Sequence, residues 1–445
     1  MERLFGTDGV RGVANQELTP ELALQLGRAG ATVLTEKVKR PKILIGKDTR
    51  ISGEMLEAAL IAGITSVGAD VYLLGVVPTP AVAYLTRVLK ADAGIMISAS
   101  HNPVEDNGIK FFAETGFKLS DETEDEIERL VREGVPFRPI GTDLGQVYHQ
   151  KNAAQLYIDF LLNTVDYDLT GMRIAIDCAN GAASQVAPAV LQALGAEVSV
   201  INNQPDGTNI NCNCGSTHIK VLQDYVKEVG TDLGFSYDGD ADRVLAVDEA
   251  GNEVDGDHIL AICGLHLLGK QQLPHKKIAA TVYSNGGLAQ ALETAGGQVV
   301  TTKAGDRYVL EAMLEQELSL GGEQSGHIIF LESNTTGDGI LTTLKLLGVV
   351  KETGKKLSEL AAAMEVFPQV LKNVRVASKS GWDLNPNIQQ AIENAKAKLG
   401  QKGRIFVRPS GTEPVIRVMG EHPDEDLVAQ VVDEVSAVIE AEQGA

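Results

Sequence analysis

Two short segments place reactive side chains directly after apolar runs, and the first contains a serine. In GIMISASHNP, residues 94–103, an apolar run leads into Ser100 and His101. The Ser, Asn and Pro residues around them favour a turn, and ligands of open α/β sheets gather at the carboxyl ends of strands. Ser100 is therefore a candidate covalent carrier that His101 could assist. An ordinary turn serine is the alternative, and no G-x-S-x-G elbow supports serine hydrolase chemistry.

The second segment, DGDADR at residues 238–243, carries carboxylates at alternate positions between two apolar runs. Asp238, Asp240 and Asp242 can converge on one hard cation, and Mg²⁺ favours oxygen ligands and commonly acts with substrate phosphates. A solvated acidic turn is the alternative. A calcium-binding EF-hand is disfavoured, because Arg243 stands where its sharp turn needs Gly and strand-like runs flank the loop. The spacing predicts a magnesium site.

A third segment, RPSGTEPVIR at residues 408–417, is basic and rich in hydroxyl groups within an acidic chain. Ser410, Gly411 and Thr412 can form a nest of backbone N–H groups. Arg408 and Arg417 can reach a phosphate, and the fork of arginine suits bidentate contact. The segment predicts an anion site, whereas a hairpin with arginines on the strand surface is the alternative.

The fourth segment, GGEQSGH at residues 321–327, alternates a carboxylate, a hydroxyl and an imidazole at Glu323, Ser325 and His327. A carboxylate can accept two hydrogen bonds from vicinal sugar hydroxyls, and Gly permits close approach. The pattern is compatible with sugar binding. A solvated loop is equally compatible with it.

A repeated pattern of strand, small-residue loop, helix and strand positions these segments. It occurs at residues 42–75, 172–202 and 277–302, and each copy reads as a parallel βαβ crossover. The copies are too far apart for a solenoid, so they predict three similar mixed α/β domains in series, followed by a smaller α+β domain. The expected domains carry the serine, the metal site, the sugar site and the phosphate loop, in the order 1–150, 151–255, 256–367 and 368–445.

Length and composition limit the classes of function. A chain of 445 residues should hold roughly three or four domains. Its formal charge of −21 argues against a nucleic-acid partner or an anionic membrane surface, because those partners require basic patches. The opening lacks the apolar stretch of a signal peptide, no 18-residue apolar run occurs, and four Cys make no disulfide scaffold. We expect a soluble, cytoplasmic protein without membrane insertion.

Taken together and in this order, the four segments resemble the α-D-phosphohexomutase superfamily over essentially the whole chain. The opening LFGTDGVRG, the segment NINCNCGSTH and Gln324 within GEQSGH are similar to bacterial members that act on glucosamine phosphates. Relatives that act on glucose or mannose phosphates more often carry Met at the position of Gln324. The resemblance implies three related α/β domains and a smaller C-terminal domain around a central cleft.

The resemblance also implies roles for individual residues. Ser100 matches the phosphoserine carrier and, with Asp238, Asp240 and Asp242, it belongs to the site of one Mg²⁺. Ala241 departs from the pattern, because many members have Gly there, and Ala would be strained if the loop requires positive φ. The other matches are Arg11, His101, Lys110 and His327 as active-site residues, and Arg243, Glu323, Ser325, His327, Arg408, Ser410, Gly411, Thr412 and Arg417 as substrate contacts.

The implied activity is that of an isomerase that transfers a phosphoryl group within one sugar. It would interconvert glucosamine 6-phosphate and glucosamine 1-phosphate through glucosamine 1,6-bisphosphate, and this or a similar sugar bisphosphate would serve as activator. This step feeds UDP-N-acetylglucosamine and cell-wall precursors. The alternatives are a mutase of glucose or mannose phosphates, a Mg²⁺-dependent sugar phosphatase, and a non-catalytic phosphosugar-binding or calcium-binding protein. A homodimer and a hinged C-terminal domain are further expectations.

Overall fold

The computed structural model describes residues 3–6, 8–35, 38–400, 402–410 and 414–444. The chain divides into two compact units. The larger comprises Met1–Tyr283 and Ala295–Ala363, and the smaller comprises Ser284–Thr294 and Met364–Ala445. Over the described ranges, no helix has the length and apolar character needed to cross a membrane.

The first sheet of the larger unit carries the Ser100 segment. β4 lies between β5 and β2, and it pairs with β2 in parallel and with β5 antiparallel. β2 and β3 are parallel and joined by α2, which confirms the first predicted βαβ unit. The sheet order is β1-β5-β4-β2-β3-β6. The elements are β1 (Val10–Val13), α1 (Pro20–Leu34), β2 (Lys42–Lys47), α2 (Ser52–Thr65), β3 (Asp70–Val76), α3 (Thr79–Val88), β4 (Ala93–Ile97), β5 (Asp106–Ala113), α4 (Asp121–Glu133) and β6 (Val147–His149).

The second sheet carries the acidic segment in a hairpin. β9 and β10 pair antiparallel, and the DGDADR turn joins them. β7 and β8 are parallel and joined by α6, as predicted. The order is β11-β10-β9-β7-β8. The elements are α5 (Ala153–Leu162), β7 (Arg173–Asp177), α6 (Ala183–Ala193), β8 (Glu197–Ile201), α7 (Lys220–Val229), β9 (Leu233–Tyr237), β10 (Val244–Val247) and β11 (Glu253–Val254).

The third sheet carries the GGEQSGH segment between β14 and β15. β12 and β13 are parallel, as predicted, but the helix between them in sequence, α9, groups with the smaller unit. The order is β13-β12-β14-β15. The elements are α8 (Gly256–Gly269), β12 (Lys277–Thr281), α9 (Gly286–Thr294), β13 (Gln298–Thr302), α10 (Asp306–Glu315), β14 (Leu320–Gly322), β15 (Ile328–Phe330), α11 (Gly339–Thr353) and α12 (Leu357–Ala361).

The smaller unit contains an antiparallel sheet of order β16-β18-β17, which matches the predicted α+β class. Apolar residues of its strands and of two helices form one buried cluster that includes Ile392, Ile416 and Val432. The described residues of the basic segment lie on and beside the paired antiparallel strands β17 and β18, which we call the hairpin. The elements are β16 (Gln369–Arg375), α13 (Pro386–Leu399), β17 (Arg404–Pro409), β18 (Val415–Glu421) and α14 (Glu425–Gln443).

Candidate active site

Ser100 lies in the turn that follows the carboxyl end of β4, where the sequence placed it. The residue is 1% exposed and has a φ of 53°, which non-glycine residues rarely adopt. Its Oγ donates a hydrogen bond to Asp238 Oδ2 at 2.5 Å and lies 3.3 Å from His101 Nδ1. The serine of the first sheet and the first aspartate of the second sheet are therefore in direct contact.

The three aspartates of the β9–β10 turn form a buried oxygen cluster. One carboxylate oxygen from each of Asp238, Asp240 and Asp242 lies within 4.8 Å of the others. Asp240 Oδ1 and Asp242 Oδ1 are buried and accept no hydrogen bond from the described residues. Burial, together with the charges of Asp242 and Asp240, raises the pKa of Asp238 well above its usual range. Unsatisfied, mutually repelling oxygens are the donor set that fits Mg²⁺.

The same turn requires a positive φ at Ala241, the position where many family members have Gly. Its φ is 56°, so an L-residue occupies the left-handed region at a cost of roughly 1–2 kcal/mol. The N–H of Gly339, the first residue of α11, donates to the Ala241 carbonyl at 3.0 Å. A Cβ at Gly339 would lie 2.6 Å from the Arg243 carbonyl oxygen. The first residue of α11 thus holds the strained turn through a close backbone contact.

Arginines surround His101. Arg243 Nη1 lies 3.1 Å from His101 Nδ1, so the guanidinium donates and the ring nitrogen accepts. Burial and the positive charges of Arg243 and Arg11 lower the pKa of His101 to about 4. His101 is therefore a neutral ring at physiological pH, with its proton on Nε2.

Lys110, on β5, lies among carboxylates. Its Nζ is 2.8 Å from Asp240 Oδ2, 2.8 Å from Asp8 Oδ2 and 3.5 Å from Asp242 Oδ2. Burial alone would lower the pKa of Lys110, but the charges of these three carboxylates raise it above its usual range. Lys110 therefore stays charged, and it links the metal turn to the N-terminal segment.

Lys118 and His327 extend this network to the third sheet. Lys118 Nζ is 2.5 Å from Asp8 Oδ1 and also pairs with Asp306 Oδ2. His327 Nε2 is 3.4 Å from Asp306 Oδ2, and Nδ1 is 3.6 Å from Asp242 Oδ2. Two lysines and the His327 imidazole alternate with three carboxylates around a closed circuit. We call it the charge ring, and its members are Asp8, Lys118, Asp306, His327, Asp242 and Lys110.

His327 has negatively charged neighbours, whereas the neighbours that lower the pKa of His101 are positively charged. Burial lowers the pKa of His327, but its hydrogen bond to Asp242 and the charges of Asp242 and Asp306 raise it above its ordinary value. The N–H of Gly337 donates to Nε2 at 3.1 Å, which favours the ring with its proton on Nδ1. One histidine thus faces arginines, whereas the other faces carboxylates.

A cavity of about 400 Å³ opens beside these groups. Arg11 lines it and is ion-paired with Asp8. Glu323 also lines it, and its Oε1 accepts a hydrogen bond from the Gly305 N–H at 3.2 Å. Ser325 is exposed and is not among the described residues that line the cavity. The charged residues around the cavity are Arg3, Asp8, Arg11, Asp242, Arg243, Asp306, Glu323 and His327.

The smaller unit presents the basic segment on a hairpin. Arg408 on β17 is directly opposite Arg417 on β18. Arg408 is exposed, Arg417 is half-buried, and Ser410 is buried with its carbonyl accepting a hydrogen bond from Lys379 Nζ at 2.7 Å. The two remaining residues predicted for this loop, Gly411 and Thr412, lie outside the described residues.

Three members of the charge ring were not identified from the sequence. They are Asp8, Lys118 and Asp306. Lys118 follows its partner Asp8 by 110 residues, and Asp306 follows Lys118 by 188 residues. One signal was available, because Asp8 stands three residues before Arg11 in LFGTDGVRG. Lys118 and Asp306 stand in no pattern that distinguishes them.

Comparison with known families finds four matches in chain order. They are described as phosphoglucomutase/phosphomannomutase α/β/α domains I, II and III and the C-terminal domain. The matched residues are 2–136, 155–251, 255–367 and 350–438, respectively. All four domains of that family are therefore represented in this chain.

Individual proteins and structures agree with these matches. A phosphoglucosamine mutase from Carboxydothermus hydrogenoformans is 59% identical over 99% of this chain and 100% of its own length. A phosphoglucomutase/phosphomannomutase family protein from Burkholderia thailandensis shares the fold with a TM-score of 0.82 at 23% identity, over 99% of this chain and 97% of that one. N-acetylphosphoglucosamine mutase from Aspergillus fumigatus, solved with GlcNAc-6P and magnesium, gives a TM-score of 0.68 at 19% identity, over 98% and 95%.

Proposed function

The chain belongs to the phosphoglucomutase/phosphomannomutase family of α-D-phosphohexomutases, and we propose that it acts as a phosphoglucosamine mutase. It would interconvert glucosamine 6-phosphate and glucosamine 1-phosphate through a phosphoserine enzyme. The observation that carries the proposal is the 2.5 Å contact between Ser100 Oγ and Asp238 Oδ2 inside the buried aspartate cluster. That contact joins a nucleophile to a metal-binding set, as phosphoryl transfer requires.

The reaction proceeds in two transfers. Phosphorylated Ser100 gives its phosphoryl group to the free hydroxyl of the sugar phosphate. The hydroxyl proton goes to a base, and the leaving Ser100 Oγ takes up a proton from an acid. The resulting glucosamine 1,6-bisphosphate then reorients within the site, and it transfers its other phosphoryl group to Ser100. Positioning and neutralisation of charge supply most of the catalysis in such transfers.

Asp238, Asp240 and Asp242 would hold Mg²⁺ beside Ser100. The free Oδ1 atoms of Asp240 and Asp242 support this assignment. The bound ion would offset the charge of the phosphoserine and polarise the transferring group. The fungal structure solved with magnesium belongs to an enzyme of the same fold.

Other side chains supply charge and proton transfer. Lys110 stays protonated among its carboxylates and can stabilise negative charge near Ser100. Arg243 contacts His101 beside Ser100 and lines the cavity. His327 also lines the cavity, so it is our candidate for exchanging a proton with the sugar hydroxyl.

Separate groups would hold the rest of the substrate. The Glu323 carboxylate faces the cavity and can accept hydrogen bonds from sugar hydroxyls, and Ser325 follows it in the same turn. The hairpin residues would bind whichever phosphate is not reacting. Because that phosphate alternates between two positions on the sugar, recognition by charge and shape suits it. The proposed hairpin contacts are Arg408, Ser410, Gly411, Thr412 and Arg417.

Further parts of the proposal concern the whole protein. The bisphosphate or a similar sugar bisphosphate would prime Ser100, and the chain would form a homodimer. A cytoplasmic location is consistent with Cys178, Cys212, Cys214 and Cys263 being free. The C-terminal domain would close over the bisphosphate by bending near residues 367–368. Small-angle scattering with and without glucose 1,6-bisphosphate measures this closure, and identical profiles would contradict it.

Two measurements test the function. Intact mass before and after phosphatase treatment should reveal one removable phosphoryl group, which peptide mapping should locate on Ser100. Values of kcat/KM on glucosamine 1-phosphate, glucose 1-phosphate and mannose 1-phosphate should favour the amino sugar. A clear preference for glucose 1-phosphate would indicate the alternative mutase, and release of inorganic phosphate at the mutase rate would indicate a phosphatase.

A further inference from the structure

The backbone of the Ser100 turn is held by two side chains outside the proposed catalytic set. Arg50 Nη2 donates to the carbonyls of Ser100 at 3.0 Å and Asn102 at 2.8 Å. Asn211 Nδ2 donates to the same two carbonyls, at 2.9 Å and 3.0 Å. Each nitrogen thus bridges both oxygens. We call this arrangement the carbonyl clamp, formed by Arg50, Asn211 and the carbonyls of Ser100 and Asn102.

The Arg50 half of the clamp is part of a fully buried network. Arg50 Nε donates to Asp48 Oδ2 at 2.9 Å, and both side chains are 0% exposed. Ser98 Oγ donates to the same Asp48 oxygen at 2.6 Å and accepts the Ser100 N–H at 2.9 Å. The Ser100 carbonyl is therefore bound directly by Arg50, and the Ser100 N–H is linked through Ser98 to Asp48, the ion-pair partner of Arg50. This fixes the peptide groups on both sides of the carrier residue.

The Asn211 half comes from the second sheet's domain, in the NINCNC segment. Asn211 has a φ of 57°, and its N–H donates to the Ala179 carbonyl at 2.9 Å. Gly239 of the metal turn lies against the clamp, because an added Cβ there would be 2.6 Å from the Ser100 carbonyl oxygen and 2.9 Å from Asn211 Nδ2. The carrier turn, the metal turn and the Asn211 segment therefore pack without intervening space.

We propose that Arg50 and Asn211 are positioning residues that hold Ser100 Oγ in line for phosphoryl transfer. Ser100 has a strained φ of 53°, and such a conformation persists only where surrounding contacts determine it. Release of the two carbonyls lets the peptide groups rotate and moves Oγ away from Asp238. A displacement of about 1 Å can lower a rate on the order of 10²-fold. The inference rests on the proposed function, because it concerns the same phosphoserine.

The chain offers a matched pair of variants. Asn211 and Asn213 stand in the same segment with φ of 57° and 51°, and Asn213 is exposed. Gly adopts positive φ without strain, so Asn211→Gly removes the clamp donor without adding charge or backbone strain. Asn213→Gly is the control. The measurements are kcat, KM and the single-turnover rate at which glucose 1,6-bisphosphate phosphorylates dephosphorylated Ser100, followed by intact mass below the Tm of each variant.

Asn211→Gly should lower the single-turnover rate and kcat by about 10²-fold, with KM changed less than about threefold. Asn213→Gly should keep both rates within about twofold of the unaltered protein. A purely structural role would lower Tm without this division between kcat and KM. Equal transfer rates in the two variants, or equal losses in both, would overturn the proposal.

Arg50→Lys provides a second test, because Lys keeps the charge opposite Asp48 but lacks the forked Nη2. Arg50→Lys should also slow transfer. Because both donors hold the same carbonyls, the Asn211→Gly/Arg50→Lys double variant should lose less than the product of the single losses. Losses that multiply would contradict a single clamp.

The outcome for the unaltered protein distinguishes failure of the clamp from failure of the proposed function. If unaltered protein takes up no phosphoryl group at Ser100, the proposed function fails. If unaltered protein and Asn211→Gly are phosphorylated at the same rate, the clamp fails and the proposed function stands.

Discussion

The Ser100 centre and the hairpin that carries Arg408 and Arg417 would both bind phosphate, yet they are built differently. Ser100 and Asp238 are buried, and side chains from three sheets fix their surroundings. The hairpin exposes Arg408 and half-buries Arg417 on an antiparallel sheet. A reacting phosphoryl group needs preorganised partners, whereas a phosphate that only anchors the substrate in two orientations needs charge and reach.

The largest effect should come from removing the carrier hydroxyl. Ser100→Ala should lower kcat on the order of 10⁴-fold or more, because it removes the hydroxyl that contacts Asp238 and would carry the phosphoryl group. Intact mass should detect no phosphoryl uptake from sugar bisphosphate. Ser184→Ala, which removes a buried hydroxyl from α6, is the control and should retain activity. Substantial turnover by Ser100→Ala would end the covalent mechanism.

The next largest effect should come from the metal site. Asp238→Asn keeps the shape of the side chain but removes one anionic ligand, so Mg²⁺ affinity should fall on the order of 10²-fold. At 100 times Kd, Mg²⁺ should stabilise the unaltered protein by about 2.7 kcal/mol, and chelation should remove this gain. Calorimetry measures both quantities. Asp232→Asn, on an exposed carboxylate paired with Arg173, should leave Mg²⁺ affinity unchanged.

Changes in the hairpin should affect substrate binding more than chemistry. Arg417→Ala should raise KM by about 10- to 100-fold, because a charge-assisted hydrogen bond is worth about 1.5–3 kcal/mol. Phosphorylation of Ser100 at saturating bisphosphate should change much less. Lys372→Ala, on neighbouring β16, removes an exposed cation paired with Asp433 and is the control. A loss confined to kcat would place Arg417 with the Ser100 centre instead.

The smallest effect should be that of salt. Exposed charges are screened within about 8–10 Å at physiological ionic strength, and buried pairs are screened much less. Added KCl should therefore raise KM severalfold, because it screens the charges of Arg408 and Arg417 on the hairpin. The single-turnover rate of phosphoryl transfer at saturating substrate should stay constant. Steady-state and single-turnover kinetics over the same salt series measure the two responses. A transfer rate that falls in parallel with the rise in KM would remove the distinction between the two regions.

The sequence revealed the parts of the site that depend on local order. Asp238, Asp240 and Asp242 occupy one turn between two strands, so their spacing predicted a metal site, and Ser100, three residues after β4, was recognisable as a candidate carrier. The family resemblance, not the spacing, implied the phosphoserine role of Ser100. The contact between Lys118 and Asp306 joins positions 188 residues apart, which no local pattern encodes. Burial of these ionised groups follows from how three sheets pack, and packing is not a property of any short segment.

Alternation along the chain was a weaker guide at the GGEQSGH segment. It grouped Glu323, Ser325 and His327 as possible sugar contacts, while a solvated loop was equally compatible with the pattern. In the structure the Glu323 N–H donates to the His327 carbonyl at 3.0 Å, and Gly326 has a φ of 90°, so the segment is a tight turn. Ser325 therefore lies at the exposed apex. The geometry of the turn, and not the type of side chain, determines that Ser325 is exposed.

The charge ring also sets an order of events during synthesis. Asp240 follows Lys110 by 130 residues, and Asp306 follows Lys118 by 188 residues, so both ammonium groups leave the ribosome well before these carboxylates. Domains generally fold as they emerge, but Lys118 can reach its Asp306 partner only after the chain has been translated beyond residue 306. Nascent chains arrested before residue 306 should therefore be cut by proteases around Lys118 more readily than completed ones.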